Sequence, residues 1–564
     1  MGLTRSRFSS DHDDQETWQS SRKFITEKAQ REPLTPKQVK NRSGAYVWEV
    51  NDMMKLQRFL FLGADNSFCY KAVTNEPKRE NAQCVDRLIA DGKGPEVVEL
   101  IRTISLAGRA ARQNPTIFAL AICARSNDTK TKTLAYAALN EMCRIPTHLF
   151  MFVKYCEDVS SGTGWGRAHR HAIVNWYMNK CKNPTAVARL ITKYRNREGW
   201  THRDVVRLAH PKATDDTLNI ILKFIMKGFI EARALADKQM GNDDKLMKMI
   251  AFLEATEKAK RCTDEDEMVK MIQTHGLERE HIPTQLLNSR KVWEALIMNL
   301  KMEAAIRNLG KITSLGLCGE GSFVEQAICS KLTDEKALKE ARIHPFKVLL
   351  ALTTYEKGRG EKGHLSWEPN KNVIAALDKA YYLSFASVEP TGKRYLLAID
   401  VSGSMNVPCV GSQTITCRHA AAAMMMVTAR SEANFDIVAF SHHLMPMDIN
   451  KNDTLPEVLE KTERLPFGGT DCALPMLWAD ENKKKYDVFI VYTDSETWYG
   501  RIHPSRALKD YRENMKIHDA KLIVAGMASN GFSIADPDDL GMLDIVGFDS
   551  AATQTIANFS LGKM

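Results

Sequence analysis

Apolar residues recur at steps of three and four positions almost without interruption from about residue 44 to residue 385. This is the period of an amphipathic α-helix, and the run Val97, Val98, Ile101 and Ile104 is typical of it. Alternating β-branched runs joined by Asn-Gly turns, the sequence signature of hairpins, do not occur in this stretch. The pattern therefore predicts an all-α region that fills more than half of the chain.

Prolines mark the beginnings of several predicted helices. Proline suits the first helical position because its missing N–H would have no partner there in any case. The first four such prolines are separated by 31, 38 and 27 residues, about the length of one helix pair. This spacing predicts an irregular HEAT-like solenoid, whose helix pairs stack into a curved surface. The prolines concerned are Pro115, Pro146, Pro184, Pro211, Pro283 and Pro345.

The pattern changes near Pro390, where short apolar runs of strand length begin to alternate with helical stretches. Strands that alternate with helices predict a doubly wound α/β domain with a largely parallel sheet. We therefore predict a mobile polar tail over residues 1–38, a helical-repeat domain over 39–390 and an α/β domain over 391–564. The predicted strands are 396–399, 437–440, 488–492, 522–525 and 543–546.

The composition is that of a globular protein. The chain has 564 residues, of which 44% are hydrophobic and 26% charged, and this excludes global disorder and a fibrous repeat. No apolar run approaches the roughly 20 residues that a membrane-crossing helix needs, and the N-terminus lacks the apolar core of a signal peptide. The 12 cysteines show no Cys-x-x-Cys pair or zinc-ligand spacing. We expect a soluble, unsecreted protein with reduced, buried cysteines.

Charge is distributed unevenly along the chain. Residues 141–240, the basic window, hold 17 Lys and Arg against 9 Asp and Glu, a net charge of +8 beside +9 for the whole chain. Residues 394–564 hold 16 against 22, a net charge of −6. A polyanionic partner for the basic window explains this separation. On charge alone, a merely solvated helix face explains it equally well.

Cations in the basic window fall at helical spacings. Lys193 and Arg197 are four residues apart and are predicted to share one helix face, and Arg207 and His210 follow in the next helical pattern. Two basic faces on neighbouring helices of a curved stack could track a phosphate backbone. An earlier cluster occupies positions i, i+3 and i+4 of another predicted helix: Arg167, Arg170 and His171.

Aromatic residues of the basic window offer a second way to hold RNA. Trp165, Tyr194 and Trp200 could stack on exposed bases, although core packing is the favoured interpretation of each. The recognisable RNA-binding signatures, such as an aromatic strand pair, a Gly-x-x-Gly clamp or a zinc knuckle, do not occur in the sequence. Affinity for RNA would then come from charge, shape and unpaired ends more than from base-edge contacts.

Oxygen-bearing side chains cluster at the predicted strand ends of the α/β domain. Asp400, Ser402 and Ser404 directly follow the first strand, Thr470 lies in a later loop and Asp494 ends the most apolar strand. Because the carboxyl ends of parallel strands meet at one edge of the sheet, these groups are expected to face a single point. Hard oxygen ligands suit Mg²⁺ or a similar divalent cation, with water completing the octahedron. An incoming carboxylate or phosphate could also complete it.

Catalytic use of such a metal is less consistent with these residues. A two-metal nuclease needs several clustered carboxylates, whereas this set has two. A phosphatase of the Asp-x-Asp type would need a second acid at Ser402. The sequence contains no Gly-x-Ser-x-Gly elbow and no His-Glu-x-x-His helix. Ligand capture is therefore favoured over hydrolysis, and a purely structural or empty site stays open as an alternative.

Several motifs together resemble one family. The set Asp400, Ser402, Ser404, Thr470 and Asp494 is similar to the metal-ion-dependent adhesion site of a von Willebrand factor A domain. From about residue 40 to the C-terminus, the chain resembles the Ro family, the protein subunits of Ro ribonucleoproteins, which combine a TROVE domain with such an A domain. The further motifs are Cys-Arg-Ile-Pro-Thr-His-Leu-Phe (143–150), Trp-Gly-Arg-Ala (165–168), Asn-Leu-Gly-Lys (308–311), Ala-Arg-Ile-His-Pro-Phe (341–346), Glu-Pro-Thr-Gly-Lys-Arg (389–394), Gly-Gly-Thr-Asp-Cys (468–472) and Ile-Ala-Asp-Pro-Asp-Asp (534–539).

The resemblance implies an all-α ring of HEAT-like helices that is closed by the A domain, in a monomeric protein. In the family, small noncoding Y RNAs bind the basic outer surface, and misfolded noncoding RNAs enter the central hole by a single-stranded 3′ end. The implied role is Y RNA stabilisation and RNA quality control, without catalysis, in the cytoplasm and also in the nucleus.

Site residues carry over by motif. Lys193, Arg197 and His210 match positions where the family contacts Y RNA. The chain departs from the family in a longer tail before residue 39 and in Gly403, where alanine is usual. Since glycine is common there in other A domains, metal binding is not in doubt. Four arginines are added on charge and placement alone: Arg144, Arg167, Arg170 and Arg207.

Three hypotheses follow from the sequence. A non-catalytic RNA-binding protein is favoured, and it predicts steep salt dependence of binding. The alternative is a metal-dependent protein-interaction scaffold whose basic face is merely solvated. A metal-dependent nuclease is the third. The first two are compatible, since an A domain could recruit proteins while the ring holds RNA.

Overall fold

A computed structural model describes residues 18–20, 29–62, 77–160, 164–239, 243–360, 364–385, 389–408, 415–466, 468–527 and 531–563. A helical domain comes first and an α/β domain follows, in the predicted order. Short strands also lie in the first part of the chain: β1 (Val39–Lys40), β2 (Tyr46–Glu49), β3 (Asn196–Arg197) and β4 (Trp200–Thr201). The helices of the helical domain are α1 (Asp52–Leu62), α2 (Gln83–Ala90), α3 (Gly94–Leu106), α4 (Asn114–Arg125), α5 (Thr129–Met142), α6 (Pro146–Asp158), α7 (Arg167–Cys181), α8 (Pro184–Lys193), α9 (His202–Ala209), α10 (Asp216–Lys227), α11 (Phe229–Gln239), α12 (Asp244–Ala259), α13 (Glu265–His275), α14 (Arg290–Asn299), α15 (Met302–Ser314), α16 (Phe323–Leu332), α17 (Glu335–Glu340), α18 (Pro345–Glu356) and α19 (Lys371–Leu383).

Four of the six marked prolines begin helices as predicted, at α4, α6, α8 and α18. The prediction is wrong for Pro211 and Pro283. His210 ends α9 in the left-handed conformation, with φ of 52°, and α10 begins only at Asp216. Proline is also common just after a helix end because it cannot continue the helix. Pro283 lies between two short 3₁₀ turns.

The prediction that Lys193 and Arg197 share a helix face is also wrong. Helix α8 ends at Lys193, and Arg197 lies in the β3–β4 hairpin. The two turn residues of this hairpin, Glu198 and Gly199, have φ of 53° and 79°. Positive φ at both central positions is typical of a type I′ turn, which matches the twist of the paired strands. The local turn geometry therefore overrides the helical spacing.

The stack of helices curves back on itself. Arg342, which precedes α18, donates a 2.9 Å hydrogen bond from Nη1 to the carbonyl of Leu106 at the end of α3. His344 donates from Nε2 to the Arg109 carbonyl over 3.1 Å. These partners are 236 and 235 residues apart in the chain. The beginning and the end of the helical domain therefore meet, as the predicted ring requires.

The α/β domain has a six-stranded sheet in the order β11-β9-β8-β5-β6-β7. All neighbours are parallel except β6 and β7. Alternate residues of β5 face two cores: Leu397 and Ile399 join the core that is continuous with the helical domain, whereas Leu396 and Ala398 join a second one. Its elements are β5 (Arg394–Asp400), α20 (Cys417–Ser431), β6 (Asn434–Phe440), β7 (Leu444–Pro446), α21 (Leu455–Glu463), α22 (Leu474–Glu481), β8 (Val488–Thr493), α23 (Pro504–Met515), β9 (Lys521–Gly526), β10 (Phe532–Ser533), β11 (Met542–Val546) and α24 (Ser550–Ser560).

The two domains are joined through the N-terminal part of the chain. Strand β2 pairs with β1 on one side and with β10 of the α/β domain on the other. Arg58 on α1 forms a 2.7 Å ion pair with Asp544 on β11, and the two side chains are 1% and 5% exposed. Residues at the start of the helical domain are thus part of the α/β domain's own packing.

The predicted mobile tail over residues 1–38 is wrong for its described parts. Trp18 pairs with Leu444 through two backbone hydrogen bonds, and Gln30 is fully buried. These residues are held because their backbone and side-chain polar groups bond to the α/β domain. Residues 1–17 and 21–28 of the predicted tail lie outside the described residues.

Each cysteine in the described part of the chain is a free thiol, and all of these except Cys329 are buried. Burial raises the pKa of the Cys123 and Cys143 thiols well above the ordinary value, so these thiols stay protonated. In the same described ranges, we find no helix that combines the length and the apolar character needed to cross a bilayer.

Candidate functional sites

The predicted metal ligands Asp400, Ser402 and Ser404 are adjacent where β5 ends. Asp400 is fully buried. Its Oδ1 accepts a 2.9 Å hydrogen bond from the backbone N–H of Ser402, and its Oδ2 accepts one of 2.6 Å from the hydroxyl of Thr493. The hydroxyl oxygens of Ser402 and Ser404 lie 3.1 Å apart. A carboxylate and two hydroxyls therefore converge at this edge of the sheet.

The other two predicted ligands belong to neighbouring loops. Asp494 follows β8, is 5% exposed and accepts hydrogen bonds from the Ser404 hydroxyl and, over 3.1 Å, from the N–H of Glu496. Thr470 is 2% exposed, and its carbonyl accepts 2.9 Å bonds from the N–H groups of Trp498 and Tyr499. Direct contacts thus connect Asp494 to the serine ligands, and backbone bonds tie the Thr470 loop to the loop after Asp494.

The electrostatics of this cluster suit a cation. Burial raises the pKa of Asp400, and burial together with the negative charge of Asp400 raises the pKa of Asp494. The positive charge of Arg418 offsets part of the rise in the pKa of Asp400, although Arg418 donates its Nη2 hydrogen bond to the Val401 carbonyl. Two buried carboxylates that disfavour each other's charge are stabilised by a metal ion between them. The all-oxygen donor set fits Mg²⁺, and no cluster of three or more His, Cys, Asp or Glu side chains with metal-site geometry occurs in the described ranges.

Most of the predicted RNA-contacting cations are exposed on elements that pack together. Arg167 and Arg170 are exposed on α7, Arg207 is exposed on α9, and His210 is exposed at the end of α9. Helix α7 packs against α9, and α9 contacts β4 of the hairpin that carries the exposed Arg197. The structure therefore brings five of the seven predicted residues to adjoining elements.

Lys193 differs from these exposed cations. Its side chain is 12% exposed and forms an ion pair with Glu278, with Glu280 at 3.7 Å. Burial alone would lower the pKa of Lys193, but the bond to Glu278 raises it. The same bond holds the pKa of Glu278 below its ordinary value against the effect of burial. Lys193 therefore connects α8 to the segment after α13 through a partly buried ion pair.

Arg144 likewise has a structural contact. It is half-buried, and its Nη1 donates a 3.0 Å hydrogen bond to the Ser105 carbonyl. Arg342 bonds the next carbonyl, that of Leu106. Burial and the charge of Arg342 lower the pKa of Arg144. Two cations at the last carbonyls of α3 complement the negative end of its helix dipole, so Arg144 stabilises the closure of the helical domain.

Two of the three candidate stacking residues, Trp165 and Trp200, pack against one another and against the core, as the favoured interpretation predicts. Trp165, Tyr194 and Trp200 are half-buried. The Trp165 ring lies 5.9 Å from that of Trp200 and 4.7 Å, edge-on, from that of His169. These distances are typical of stabilising aromatic pairs, so the Trp165 and Trp200 rings are partly committed to the core.

The helical domain has a partly open cavity of about 700 Å³, and sequence reasoning did not identify the residues that line it. Trp367 lies on its wall, stacked 5.9 Å from Tyr355, and donates from Nε1 to the Tyr355 carbonyl. A Cβ at Gly310 would lie 2.5 Å from the Trp367 ring, so glycine in the Asn-Leu-Gly-Lys motif permits this approach. No local signal could reveal the cavity, because its lining is dispersed from Ala111 to Trp367. Its cations are Arg112, Arg279, Arg307, Lys311 and Lys347.

The different environments of Lys193 and Arg197 give a stability prediction. Lys193→Ala leaves the 20% exposed carboxylate of Glu278 with its main cation removed, which should lower the free energy of unfolding by about 1–3 kcal/mol. Arg197→Ala removes a half-exposed pair with Glu198 and should change it by less than about 0.5 kcal/mol. Urea unfolding followed by circular dichroism measures both. Equal stability of the two variants would mean that Lys193 is free for ligands.

Comparisons with known proteins cover almost the whole chain. Residues 39–393 match the TROVE domain, and residues 394–560 match the Ro60 vWA domain. The chain is 40% identical over 596 aligned positions to "RNA-binding protein RO60" of Caenorhabditis elegans, covering 95% of this chain and 92% of that protein. It is 34% identical over 541 positions to the Deinococcus radiodurans protein of the same name, covering 95% and 97%. The crystal structure of the D. radiodurans RO (RSR) protein is similar with a TM-score of 0.66 and 33% identity, covering 91% of this chain and 100% of that one.

Proposed function

The chain belongs to the Ro protein family, with its TROVE and Ro60 vWA domains, and from this premise we propose that it is an RNA-binding protein. It binds and stabilises small noncoding Y RNAs, and it captures misfolded noncoding RNAs by their single-stranded 3′ ends for quality control. In this proposal the protein is a monomeric, non-catalytic ring that acts in the cytoplasm and nucleus.

One observation supports the outer-surface part of the proposal most directly. Arg167, Arg170, Arg207 and His210 are exposed on two packed helices. Within the described ranges, none of the four forms an ion pair. Exposed arginines without ion pairs on adjoining elements can neutralise successive phosphates and release their counterions, and His210 can donate a hydrogen bond to a phosphate beside them. A structured RNA stem that lies across α7, α9 and the β3–β4 hairpin suits this arrangement.

The partly open cavity of the helical domain supports the second part, the capture of single-stranded ends. Binding sites for unpaired RNA combine cations along the backbone with aromatic faces for the bases. Lys311 and Arg279 provide cations here, and Phe346 and Trp367 provide apolar ring surface. The lining also contains Glu303, which pairs with Arg307 and Lys347 over 3.0 Å each. We therefore assign the end-binding role chiefly to Arg279 and Lys311, which do not pair with Glu303.

The test compares a duplex RNA that has a 3′ single-stranded tail with the same duplex blunt-ended. Wild type should prefer the tailed duplex, and Arg279→Gln/Lys311→Gln should lose about tenfold or more in affinity for it, as expected for two phosphate contacts. Binding of a Y-type stem-loop should stay unchanged. The control Lys245→Gln/Lys336→Gln removes two exposed cations from α12 and α17. If the tail confers no advantage on wild type, end capture is wrong.

The α/β domain adds a proposed metal site. Asp400, Ser402, Ser404, Thr470 and Asp494 would hold a divalent cation, with Mg²⁺ the best match to the oxygen donors. A bound cation with an open position can accept a carboxylate from a protein partner. This arrangement also supports the second candidate function, that of a protein-interaction scaffold, since the ligand set lies in the α/β domain and the exposed RNA-binding candidates lie in the helical domain.

A further inference from the structure

A segment that precedes the first helix, α1, lies against both loops of the proposed metal site. Residues 29–46 form this segment, which we call the N-terminal clasp. Its central side chain is Gln30, which is 0% exposed. The Gln30 backbone also takes part, because its N–H donates to the Gly500 carbonyl over 3.3 Å and its carbonyl accepts from the N–H of Tyr46 over 2.7 Å.

Every polar atom of the Gln30 amide is used. Nε2 donates hydrogen bonds of 2.8 Å to Asp471 Oδ1 and to the Ile502 carbonyl, and Oε1 accepts one of 2.6 Å from the Thr497 hydroxyl. A Cβ at Gly500 would lie 2.3 Å from both Gln30 Nε2 and Asp471 Oδ1. The glycine therefore leaves the space in which these two side chains meet.

The two partners of Gln30 belong to different ligand loops. Asp471 directly follows the proposed ligand Thr470, and Thr497 is three residues after the proposed ligand Asp494. Thr497 Oγ1 also accepts a 3.1 Å bond from the N–H of Cys472. One buried amide thus spans the Thr470 loop and the Asp494 loop, in addition to the hydrogen bonds that the two loops form with each other.

Other residues of the clasp reach still closer to Asp494. Asn41 Nδ2 donates to the Ser495 and Thr497 carbonyls over 3.3 and 2.8 Å. The N–H and hydroxyl of Ser43 both bond to Glu496 Oε2 over 3.2 Å. The N–H of Glu496 in turn donates to Asp494 Oδ1. The clasp therefore fixes the backbone immediately after this proposed ligand.

We propose that Gln30 is a positioning residue of the metal site, and that the N-terminal clasp sets the affinity of the site for a divalent cation by holding its two outer loops in register. This inference rests on the proposed metal site. Mg²⁺ demands a near-ideal octahedron, so small relative shifts of the Thr470 and Asp494 loops weaken binding. Partners that orient metal ligands without touching the metal commonly contribute 10- to 100-fold in affinity.

The test measures Mg²⁺ binding to the full chain by isothermal titration calorimetry, with Mn²⁺ as a second probe. Gln30→Ala should raise the Kd for both ions by about 10- to 100-fold. Gln38→Ala is the matched control, because Gln38 is also a buried glutamine of the clasp but bonds only to Leu34 and Tyr46 within it. Its Kd should stay within about twofold of wild type, as expected for a residue that does not orient ligands.

Thr497→Val provides a milder variant. It removes the hydroxyl that donates a hydrogen bond to Gln30, and it changes the shape of the side chain little. Thr497→Val should also raise the Kd. In the double variant, the effects of the two substitutions on log Kd should be less than additive, because both remove the hydrogen bond between Thr497 and Gln30. If Gln30→Ala fails to fold, Thr497→Val decides the question. If wild type binds Mg²⁺ tightly and the folded variants bind it with the same affinity, the positioning role of Gln30 is wrong but the metal site stands. No Mg²⁺ binding by wild type overturns the metal site itself and this inference with it.

Discussion

Replacing three exposed arginines of the outer surface should weaken binding of a Y-type stem-loop RNA by about a hundredfold or more at moderate salt. The variant is Arg170→Gln/Arg197→Gln/Arg207→Gln, with one substitution each on α7, the β3–β4 hairpin and α9. Each lost phosphate contact removes a counterion-release contribution, so the slope of log K against log salt should fall in magnitude by about two to three. Because all three side chains are exposed, the fold should be unaffected. Gel-shift or fluorescence anisotropy titrations over a salt series measure both quantities.

The control for this variant removes the same number of arginines elsewhere. Arg79→Gln/Arg464→Gln/Arg506→Gln changes side chains that are 55%, 75% and 51% exposed and lie outside the basic window. Both variants lower the net charge by three, so a difference between them reports on where the arginines lie and not on how many are removed. Equal loss of affinity and slope in the two variants would show that binding follows overall charge, and the outer-surface site would be wrong.

Lys193 is left out of this variant for a physical reason. It matches a family RNA-contact position by motif, but in the structure it is mostly buried and paired with Glu278. A loss of RNA binding in Lys193→Ala would mix a binding effect with the stability effect of an unpaired acid. The exposed arginines avoid this ambiguity.

The clustering of the proposed metal ligands was largely predictable from sequence, because most of these residues lie at or just after strand ends. Asp400 and Asp494 follow adjacent parallel strands, so alternation and strand order already bring them together. By contrast, nothing in the sequence indicates that Gln30 contacts Asp471, 441 positions away. Its polar neighbourhood is typical of a tail, and only tertiary contacts bury it. The burial of Gln30 therefore depends on long-range packing of the chain, which a local sequence pattern does not predict.

The helical domain shows the same division. Proline and apolar period located its helices well, since both act within one or two turns. The Glu198–Gly199 turn was missed because a two-residue reversal outweighed a four-residue spacing that suits a helix. The residues that line the cavity were missed because they come from α14, α15 and α18 and from segments before and after these helices, far apart in sequence. The curvature of the helical domain is set by how successive helices pack against each other. The spacing of prolines and apolar residues does not determine that packing.

The helical domain should also lose most of its stability on mild acidification. Four of its histidines are buried and a fifth, His148, is half-buried, and burial lowers the pKa of each to about 4, from 6.5 for a free histidine. Between these two pKa values the unfolded chain binds more protons than the folded chain. The stability conferred by the neutral side chains is therefore complete above about pH 6.5 and is lost as the pH falls towards 4. The histidines are His148, His169, His202, His281 and His344.

The expected size of this effect is large. A shift of this size corresponds to at most about 3 kcal/mol for each histidine, whereas a whole domain is stable by only about 5–15 kcal/mol. Even a fraction of the combined effect should unfold the helical domain by about pH 5. Calorimetric melts and helical circular dichroism at pH 7.5, 6.5, 5.5 and 4.5 measure it. A melting temperature that stays constant from pH 7 to pH 5 would contradict the prediction.

His169→Phe tests whether these histidines are the cause. His169 packs among the rings of Phe152, Trp165 and Tyr136, and burial, then the charge of Arg125, lowers its pKa. Phenylalanine keeps the aromatic packing and cannot be protonated, so the slope of unfolding free energy against pH below pH 6 should fall by up to about 1.4 kcal/mol per pH unit. The control His171→Gln changes an exposed histidine on the same helix and should leave the slope unaltered. If both variants keep the wild-type slope, acid unfolding has another origin, and the buried histidines are tolerated in their charged form.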